Sequence, residues 1–266
     1  MLRVTLLGCG PSGGVPQLGG EDGRGAWGAC DPAEPRNRRT RSSILVEGAD
    51  GGRLLVDTGP DLRAQLLACA IGRVDSILFT HHHAAHIMGL DEVRVLNRLV
   101  GREIEAHGMP ETLASLQQRF DYAFLPSTAP WFFRPALAPR PAEPGQTVSA
   151  AGLKVELLAQ DHSVMRTLGL RIGAFAYSTD LVRMPEETLA RLHGLDTWVV
   201  ACFQRAPHKV HAGLDQVLAW VQALKPRRTV LTHMGTDLDH GWLRANLPPG
   251  VEPGHDGMVL DVPVAA

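Results

Sequence analysis

Short apolar runs, each bounded by turn residues, dominate the first half of the chain. Residues 42–47 and 53–57 predict a β-hairpin, because the Asp-Gly pair between the two runs favours a tight turn. Residues 61–70 predict a helix, with Asp61 near its start and Gly72 just past its end. The other predictions in this half are strands at 2–7 and 74–80 and helices at 86–100 and around 110–120.

Strand signals return in the second half of the chain and alternate with helical ones. Predicted strands occupy residues 153–159, 168–172, 174–178, 197–203 and 228–232, and predicted helices occupy residues 185–193 and 213–224. Since hairpins come first and helices separate the later strands, this order predicts mixed sheets covered by helices. The expected fold class is therefore α/β.

Six prolines lie between residues 126 and 144, around Trp131, Phe132 and Phe133. Strand signals resume on both sides, so the stretch is predicted to be a surface excursion and not a linker between domains. A single domain is expected over residues 1–266. The three aromatic side chains would line a substrate pocket or pin the excursion to the core, and the sequence favours neither.

Composition excludes several classes of protein. The chain has 266 residues, is 44% hydrophobic and carries a formal net charge of −2, which excludes general disorder and argues against a dedicated nucleic-acid binder. No apolar run approaches the roughly 18 residues of a membrane span, and the apolar start is too short for a signal peptide. The four cysteines lie far apart without a CxxC pair, so we expect a reducing, cytoplasmic setting.

Four of the twelve histidines lie within residues 81–86, between a predicted buried strand and a predicted helix. His81 and His83 point to the same side of an extended chain, whereas His82 points away and His86 follows the turn. Imidazole is a common neutral ligand of zinc and similar cations. The spacing therefore predicts a metal site rather than a histidine-rich surface loop.

Further polar residues occupy the same topological position, each at the end of a predicted strand. They are Asp57, His162, Asp180 and His233. One histidine at a strand end is usually only a partly buried polar residue, but strand ends are also where a rigid scaffold positions a functional site. Four such residues, together with the 81–86 segment, predict one shared metal centre.

Taken in chain order, these residues match the motif series of a known protein family. The series is an Asp after an early strand, then H-x-H-x-D-H, and then a His, an Asp and a His at the ends of later strands. On this series the chain resembles the metallo-β-lactamase superfamily over nearly its whole length. It is most similar to the PhnP-like cyclic phosphodiesterases and their RNase Z-like relatives, because GCGPSGGVP, NRRTRSSILVE and His211 are typical of that branch. The resemblance implies the metallo-β-lactamase fold, a four-layer αββα sandwich with two mixed sheets face to face.

The same resemblance implies two divalent metal ions, zinc or manganese. One ion would be held by His81, His83 and His162 and the other by position 85, His86 and His233, with Asp180 bridging the two. Asp57 would lie outside the ligand shell and fix the geometry of the ligand loops. His211 would protonate the leaving group, unless it is only a surface residue of the polar HKVHAG segment.

The chain departs from the family pattern at two places. Position 85 is Ala85 where the family has Asp, and a methyl group can neither ligate a cation nor orient a water. We therefore expect partial occupancy of the second metal site and an inactivated or one-metal variant. The structural zinc of PhnP-type proteins is also expected to be absent, because the corresponding regions hold only Cys30 and Thr236.

Two other features each admit two interpretations. The glycine-rich turn Gly8–Gly14 lacks the established nucleotide-binding patterns, so a structural loop beside the site is favoured over a phosphate cradle. The Arg36–Arg41 cluster would bind a substrate phosphate or form a solvated charged loop.

The leading hypothesis is a metal-dependent phosphodiesterase acting on a small-molecule phosphate ester, such as a cyclic one, as a monomer or a homodimer. A second hypothesis keeps the metals but hydrolyses a carboxylic ester, lactone or thioester. Processing of tRNA 3′ ends is a third, and the near-neutral charge counts against it. A fourth is a natural pseudoenzyme that uses the old pocket for binding.

Overall fold

Two seven-stranded sheets form the body of the protein. The computed structural model describes residues 1–126 and 131–263. The first sheet contains β1 (Leu2–Gly8), β2 (Ser43–Glu47), β3 (Arg53–Val56), β4 (Ser76–Leu78), β5 (Ile104–Gly108), β6 (Leu137–Pro141) and the last strand, β14 (Val259–Val262). The second contains β7 (Thr147–Ala150), β8 (Leu153–Asp161), β9 (Arg166–Ile172), β10 (Phe175–Ser178), β11 (Thr197–Ala201), β12 (Arg228–Thr232) and β13 (Val251–Pro253).

Both sheets are mixed, as predicted. The first has the strand order β14-β1-β2-β3-β4-β5-β6, antiparallel from β14 to β3 and parallel from β3 to β6. The second has the order β13-β12-β11-β10-β9-β8-β7, parallel from β13 to β10 and antiparallel from β10 to β7. The predicted hairpin is β2–β3, in which Glu47 pairs with Arg53.

Helices cover the outer faces of the sheets. Those of the first half are α1 (Leu62–Ala68), α2 (Ala84–Ile87), α3 (Val93–Val100) and α4 (Pro110–Arg119), with 3-10 turns at Pro35–Asn37, Leu90–Glu92 and Asp121–Ala123. Those of the second half are α5 (Glu186–Arg191), α6 (Leu214–Leu224) and α7 (His240–Asn246). None of the helices in the described ranges is both long and apolar enough to cross a membrane.

Two apolar clusters hold these layers together. The larger joins the facing sides of both sheets and extends to α6, and the smaller joins the other side of the first sheet to α1, α3 and α4. The period-two alternation of β2 divides its side chains between them: Ile44 and Val46 enter the larger cluster and Leu45 the smaller. The protein is therefore the predicted four-layer αββα sandwich.

The predicted helix over residues 86–100 is interrupted, and a close backbone contact explains why. It forms α2, the 3-10 turn Leu90–Glu92 and α3. Gly89 lies against the neighbouring loop, where a Cβ at residue 89 would be 2.0 Å from the carbonyl oxygen of Gly59. The chain must turn at this contact, and only glycine fits there.

The proline-rich stretch 126–144 is only partly an excursion, because Leu137–Pro141 form β6 at the edge of the first sheet. An edge strand tolerates Pro139 and Pro141, since one side of it has no ladder to complete. Residues 127–130 lie outside the described residues. Trp131 and Phe133 are 63% and 64% exposed, so neither pins the segment to the core.

The buried side chain of Asn97 connects α3 to the segment that leads into β6, and its substitution tests this connection. Its buried amide nitrogen donates to the carbonyls of Arg102 and Ala136, each at 2.9 Å, and its oxygen accepts the Ala136 N–H at 3.0 Å. Asn97→Ala leaves these groups unpaired, so we expect the free energy of unfolding to fall by about 2–4 kcal/mol in urea titrations. The exposed Asn246→Ala is the control, with an expected change below about 0.5 kcal/mol. Equal losses would contradict this role.

Candidate metal centre

Strand ends of both sheets meet at one edge of the sandwich. β4 of the first sheet ends there, as do β8, β10 and β12 of the second, which all run in one direction. The predicted site residues follow these strands: His81, His83 and His86 after β4, His162 after β8, Asp180 after β10 and His233 after β12. The structure brings all six side chains together.

The six side chains form two adjacent donor groups that share one carboxylate. One group is His81, His83, His162 and Asp180, and the other is His86, Asp180 and His233; within each, the ligand atoms lie within 4.8 Å of one another. Asp180 Oδ2 lies 3.1 Å from His86 Nε2 and 3.3 Å from His233 Nδ1. His82 belongs to neither group, in agreement with its predicted orientation.

Asp57 anchors the first-sheet side of the centre. It is fully buried and accepts three hydrogen bonds, from the N–H and hydroxyl of Thr80, both at 2.8 Å, and from His86 Nδ1 at 2.7 Å. Asp57 accepts the hydrogen bond from His86 Nδ1–H, which directs Nε2 of the ring toward Asp180 and the centre. Asp57 therefore fixes the orientation of the His86 ring.

Two further contacts orient ligand rings in the same way. His81 Nδ1 lies 2.9 Å from the Thr80 hydroxyl, and His162 Nδ1 lies 2.6 Å from the carbonyl oxygen of Val210. Each directs Nε2 toward the centre, where His81 Nε2 lies 3.1 Å from His83 Nδ1. Thr80 was not among the predicted site residues, although it directly precedes the first histidine of the 81–86 segment.

Three site residues have left-handed backbone conformations. Asp57, Asp180 and His233 have φ angles of 66°, 50° and 56°, which non-glycine residues rarely adopt. Such conformations cost energy and persist only where the surrounding structure enforces them. Each turns the chain sharply as a strand ends and directs a polar side chain into the centre.

The electrostatics of the centre suit a cation. Burial, aided by neighbouring imidazoles, lowers the pKa of His81 and His83 and brings that of His233 to about 4, so these rings are neutral at pH 7. Burial disfavours charge on Asp180, but His233 and His86 hold its pKa well below the usual range. Burial likewise opposes charge on His86, yet Asp180 and Asp57 raise its pKa to about 10.

The donor sets fit divalent metal ions, with one deficiency. Neutral imidazoles around a carboxylate are the ligands that zinc and similar cations take in proteins. The first group supplies four such donors and the second only three. Ala85 lies buried in α2 directly before His86, and its methyl group adds no donor to the second group.

His211 lies beside both donor groups without belonging to either. Its ring centre is 4.7 Å from that of His162 and 4.9 Å from that of His233, and its Nδ1 is 3.9 Å from Asp180 Oδ1. Burial and the neighbouring His233 lower its pKa to about 3. Phe203, which was not among the predicted site residues, packs against it at 4.8 Å between ring centres. His211 therefore lies against the two donor groups and is not a solvated surface residue.

Arg39 has neither of the roles considered for its cluster. Its side chain is buried and donates to the carbonyls of Gly235 (3.1 Å) and Leu238 (2.6 Å) and to Asn37 Oδ1 (3.0 Å). These bonds hold the loop that follows His233. The charged groups of Arg36 and Arg41 pair with Glu34 and Asp61 instead.

The glycine-rich turn packs against the same part of the centre. Cys9 accepts the Met234 N–H through its carbonyl at 2.9 Å, and the Ser42 hydroxyl lies 2.9 Å from the Gly10 carbonyl and 3.3 Å from His233 Nδ1. A Cβ at Gly10 would lie 2.7 Å from the carbonyl oxygen of Arg39, so glycine is needed for this approach. These contacts favour a structural loop.

The Cys30 segment lies against the loop that carries Thr236. The Ala29 N–H donates to the Thr236 carbonyl at 2.8 Å, and Cys30 Sγ is 4.0 Å from the Gly235 carbonyl oxygen. Among residues 1–126 and 131–263, no group of three metal-ligating side chains includes Cys30. That this segment binds no structural zinc stays a prediction.

Comparison with known proteins agrees with the fold. A family model described as the beta-lactamase superfamily domain matches residues 52–234. The chain belongs to the beta-lactamase superfamily. A solved structure of a diphosphatase from the PhnP family superposes on it with a TM-score of 0.87 and 32% sequence identity, covering 97% of this chain and 96% of that one. The chain therefore belongs to the PhnP-like branch of this superfamily and has the metallo-β-lactamase fold of its hydrolases.

Two curated relatives match over part of their length. An octanoyltransferase of Porphyromonas gingivalis is 32% identical over 188 residues, which are 71% of this chain and 36% of that protein. A ribonuclease Z of Bradyrhizobium is 31% identical over 132 residues, which are 48% of this chain and 42% of that protein. The chain thus spans about two fifths or less of the length of these relatives.

Arg39→Met tests the support of the loop after His233. The substitution leaves several buried carbonyls without a donor, so we expect the free energy of unfolding to fall by roughly 2–5 kcal/mol in denaturant titrations. Arg36→Met, at an exposed ion pair, is the matched control and should change it by less than about 1 kcal/mol. Similar values for the two variants would show that the buried network contributes little.

Proposed function

We propose that this chain is a two-metal hydrolase of small or cyclic phosphate esters in which Ala85 replaces a ligand aspartate. The observation that carries the proposal is the pair of donor groups joined by Asp180. Two cations side by side are a recurrent arrangement in enzymes that displace a group at phosphorus. The similarity to a PhnP-family diphosphatase supports a phosphate ester or anhydride as the substrate.

The assignment of residues follows the geometry. His81, His83 and His162 would hold one ion, His86 and His233 the other, and Asp180 would contact both. Such cations polarise a phosphoryl oxygen and make a nearby water more acidic. Asp57 would hold the His86 ring in place toward its ion, and Thr80 would do the same for His81.

His211 is assigned the proton transfer to the leaving group. Its Nδ1 is buried and has no hydrogen-bond partner within the described residues, so this nitrogen is free to carry a proton. In the metal-free protein the pKa of His211 is lowered to about 3, mainly by burial. An anionic phosphate ester bound beside it would favour the protonated form.

A second candidate function is hydrolysis of a carboxylic ester, lactone or thioester. The similarity to an octanoyltransferase favours it, because an octanoyl group is an apolar acyl chain. Exposed apolar side chains are also present, such as Val164, which is 64% exposed two residues after His162. In the Ala85→Asp protein, hydrolysis of p-nitrophenyl octanoate but not of bis-p-nitrophenyl phosphate would favour this function.

The similarity to a ribonuclease Z is weaker evidence for the function of this chain than the similarity to the diphosphatase. Proteins that follow a nucleic-acid backbone usually carry a clear basic excess, and this chain has a formal net charge of −2. A small phosphate ester is therefore preferred over tRNA as the proposed substrate.

Ala85→Asp is the decisive test of the phosphodiesterase proposal. The carboxylate would complete the second donor group and orient the attacking water, so we expect hydrolysis of bis-p-nitrophenyl phosphate to rise by about 100-fold or more. Rates are measured with added manganese or zinc. The matched control is Ala84→Asp, an exposed neighbour in the same helix, which should leave the rate unchanged.

Equal rates for the Ala85→Asp protein and the chain as given would show that position 85 is not the catalytic position. If neither protein turns over the ester but both bind it, the pocket serves binding alone, as in a pseudoenzyme.

Metal content should differ between the same two proteins. We expect the chain as given to retain one tightly held equivalent and a fraction of a second, because its second group has only three donors. The Ala85→Asp protein should approach two equivalents after purification without chelator, measured by elemental analysis. If the chain as given binds two metal equivalents equally tightly, a carboxylate at position 85 is not needed to hold the second ion.

His211→Ala in the Ala85→Asp background tests the proton donor. Loss of the proton donor should slow esters with basic leaving groups by about 100-fold or more and p-nitrophenyl esters much less, because p-nitrophenolate leaves without a proton. The measurement is the dependence of kcat on the leaving-group pKa. An equal loss for both ester classes would contradict the assignment.

A further inference from the structure

A second histidine, His208, packs against His211 on the loop that carries both. The ring centres of His208 and His211 are 5.4 Å apart, and the two ring planes differ by 24°. Phe203 completes a triangle of rings, because its centre lies 4.8 Å from that of His211 and 4.9 Å from that of His208. Rings at these separations and tilts attract one another. His211 is therefore packed against two rings that the proposed reaction does not use.

His211 depends on this packing, because no hydrogen bond holds its ring as hydrogen bonds hold the ligand rings. His81, His86 and His162 each have a hydrogen-bond partner at Nδ1. The buried Nδ1 of His211 has no such partner in the described part of the chain, and the carboxylate oxygen of Asp180 lies 3.9 Å away, beyond hydrogen-bonding distance. The orientation of His211 is therefore set by the rings around it.

Two further rings contact His211, and both belong to the donor groups of the centre. The ring centres of His162 and His233 are 4.7 and 4.9 Å from that of His211. Within residues 1–126 and 131–263, His208 makes no such ring contact with either of them and belongs to neither donor group. The ring of His208 therefore reaches the ligands only by way of the His211 ring.

The backbone of Val210 contacts both His208 and a ligand. The Val210 N–H donates to His208 Nδ1 at 3.4 Å, and the Val210 carbonyl accepts the His162 Nδ1–H at 2.6 Å. A substitution of His208 therefore has two routes to the centre. One is direct, through the packing of the His211 ring, and the other is indirect, through Val210 and His162. The two routes predict different kinetics.

The loop that carries both imidazoles is closed at its base by two backbone hydrogen bonds. The Phe203 N–H donates to the Ala212 carbonyl at 2.9 Å. The Leu214 N–H donates to the Gln204 carbonyl, also at 2.9 Å. These bonds hold Phe203 beside the returning end of the loop, so the three rings of the triangle belong to one closed unit.

We propose that His208 is a positioning residue for His211, and that packing of its ring holds His211 in the orientation that reaches the leaving group. The role rests on the proposed function, in which His211 supplies the proton. An imidazole without a hydrogen-bond partner turns about its side-chain bonds unless neighbouring groups block the rotation. A reacting group that is misplaced by about 1 Å loses a large part of its effect on the chemical step.

Crystal structures of the full chain and of its His208 variants test the placement of the ring without any turnover. We expect the His211 ring to be turned or disordered in His208→Ala and unmoved in His208→Phe, because phenylalanine keeps the aromatic packing surface. His208 is a partly exposed loop residue, so both variants should fold. His193→Ala, at an exposed histidine outside the centre, is the matched control. A His211 ring that keeps its place in His208→Ala would overturn the proposal.

Kinetics in the Ala85→Asp background separate the two routes. With esters that have basic leaving groups, His208→Ala should lower kcat about tenfold and change KM less than about twofold, because a misplaced proton donor acts on the chemical step. With p-nitrophenyl esters kcat should hardly change, since p-nitrophenolate leaves without a proton. His208→Phe should recover most of the loss. An equal loss for both ester classes would show that His208 acts through Val210 on the ligands, and it would overturn the proposal.

Failure of the proposed function would look different. If the Ala85→Asp protein hydrolyses no phosphate ester, proton transfer by His211 is refuted, whereas a displaced His211 ring in His208→Ala would still support the positioning role. If the ester is hydrolysed and His208→Ala leaves kcat unchanged for basic leaving groups, the positioning role is refuted and the proposed function stands.

Discussion

One buried carboxylate has to serve two sets of imidazoles at once, and the rest of the centre is arranged around this requirement. Asp180 follows β10 in the middle of the second sheet, and its charge is removed from water. A buried carboxylate is costly unless positive groups or hydrogen bonds surround it. Its partners come from both sheets, His86 from the first and His233 from the second. The face-to-face packing of the sheets therefore allows the Asp180 carboxylate to be buried, because it brings imidazoles from both sheets to that side chain.

Much of the centre could be predicted because its signals are local. The H-x-H spacing and the polar residues at strand ends are visible in a few consecutive letters, and the resemblance supplied the layered fold. The parts that escaped prediction depend on distant contacts. Arg39 bonds to a loop nearly two hundred residues away, and the break at Gly89 depends on the separate loop at Gly59. The edge position that admits two prolines in β6 is likewise decided by the whole sheet.

At position 85 the fold and the proposed chemistry have different requirements, because the fold accepts alanine there and the chemistry calls for a carboxylate. Alanine is a good helix former, and its methyl group is buried in α2 without displacing the ligands around it. The hydrogen bonds that orient His81, His86 and His162 are all formed beside it. The left-handed backbones at Asp57, Asp180 and His233 also persist. The arrangement of the six side chains therefore forms with alanine at position 85, so the scaffold does not depend on a carboxylate there.

The ligands also have a consequence for how the two halves of the chain hold together. Residues 81–86 supply donors from the first sheet and residues 162–233 supply them from the second, so a bound cation would tie the two sheets together along one open edge. Such a tie is absent from the unfolded chain, and binding energy at the edge becomes resistance to separating the sheets. A bound cation would then stabilise the packing of the two sheets, and chelating agents would lower the stability of the whole sandwich as well as its activity.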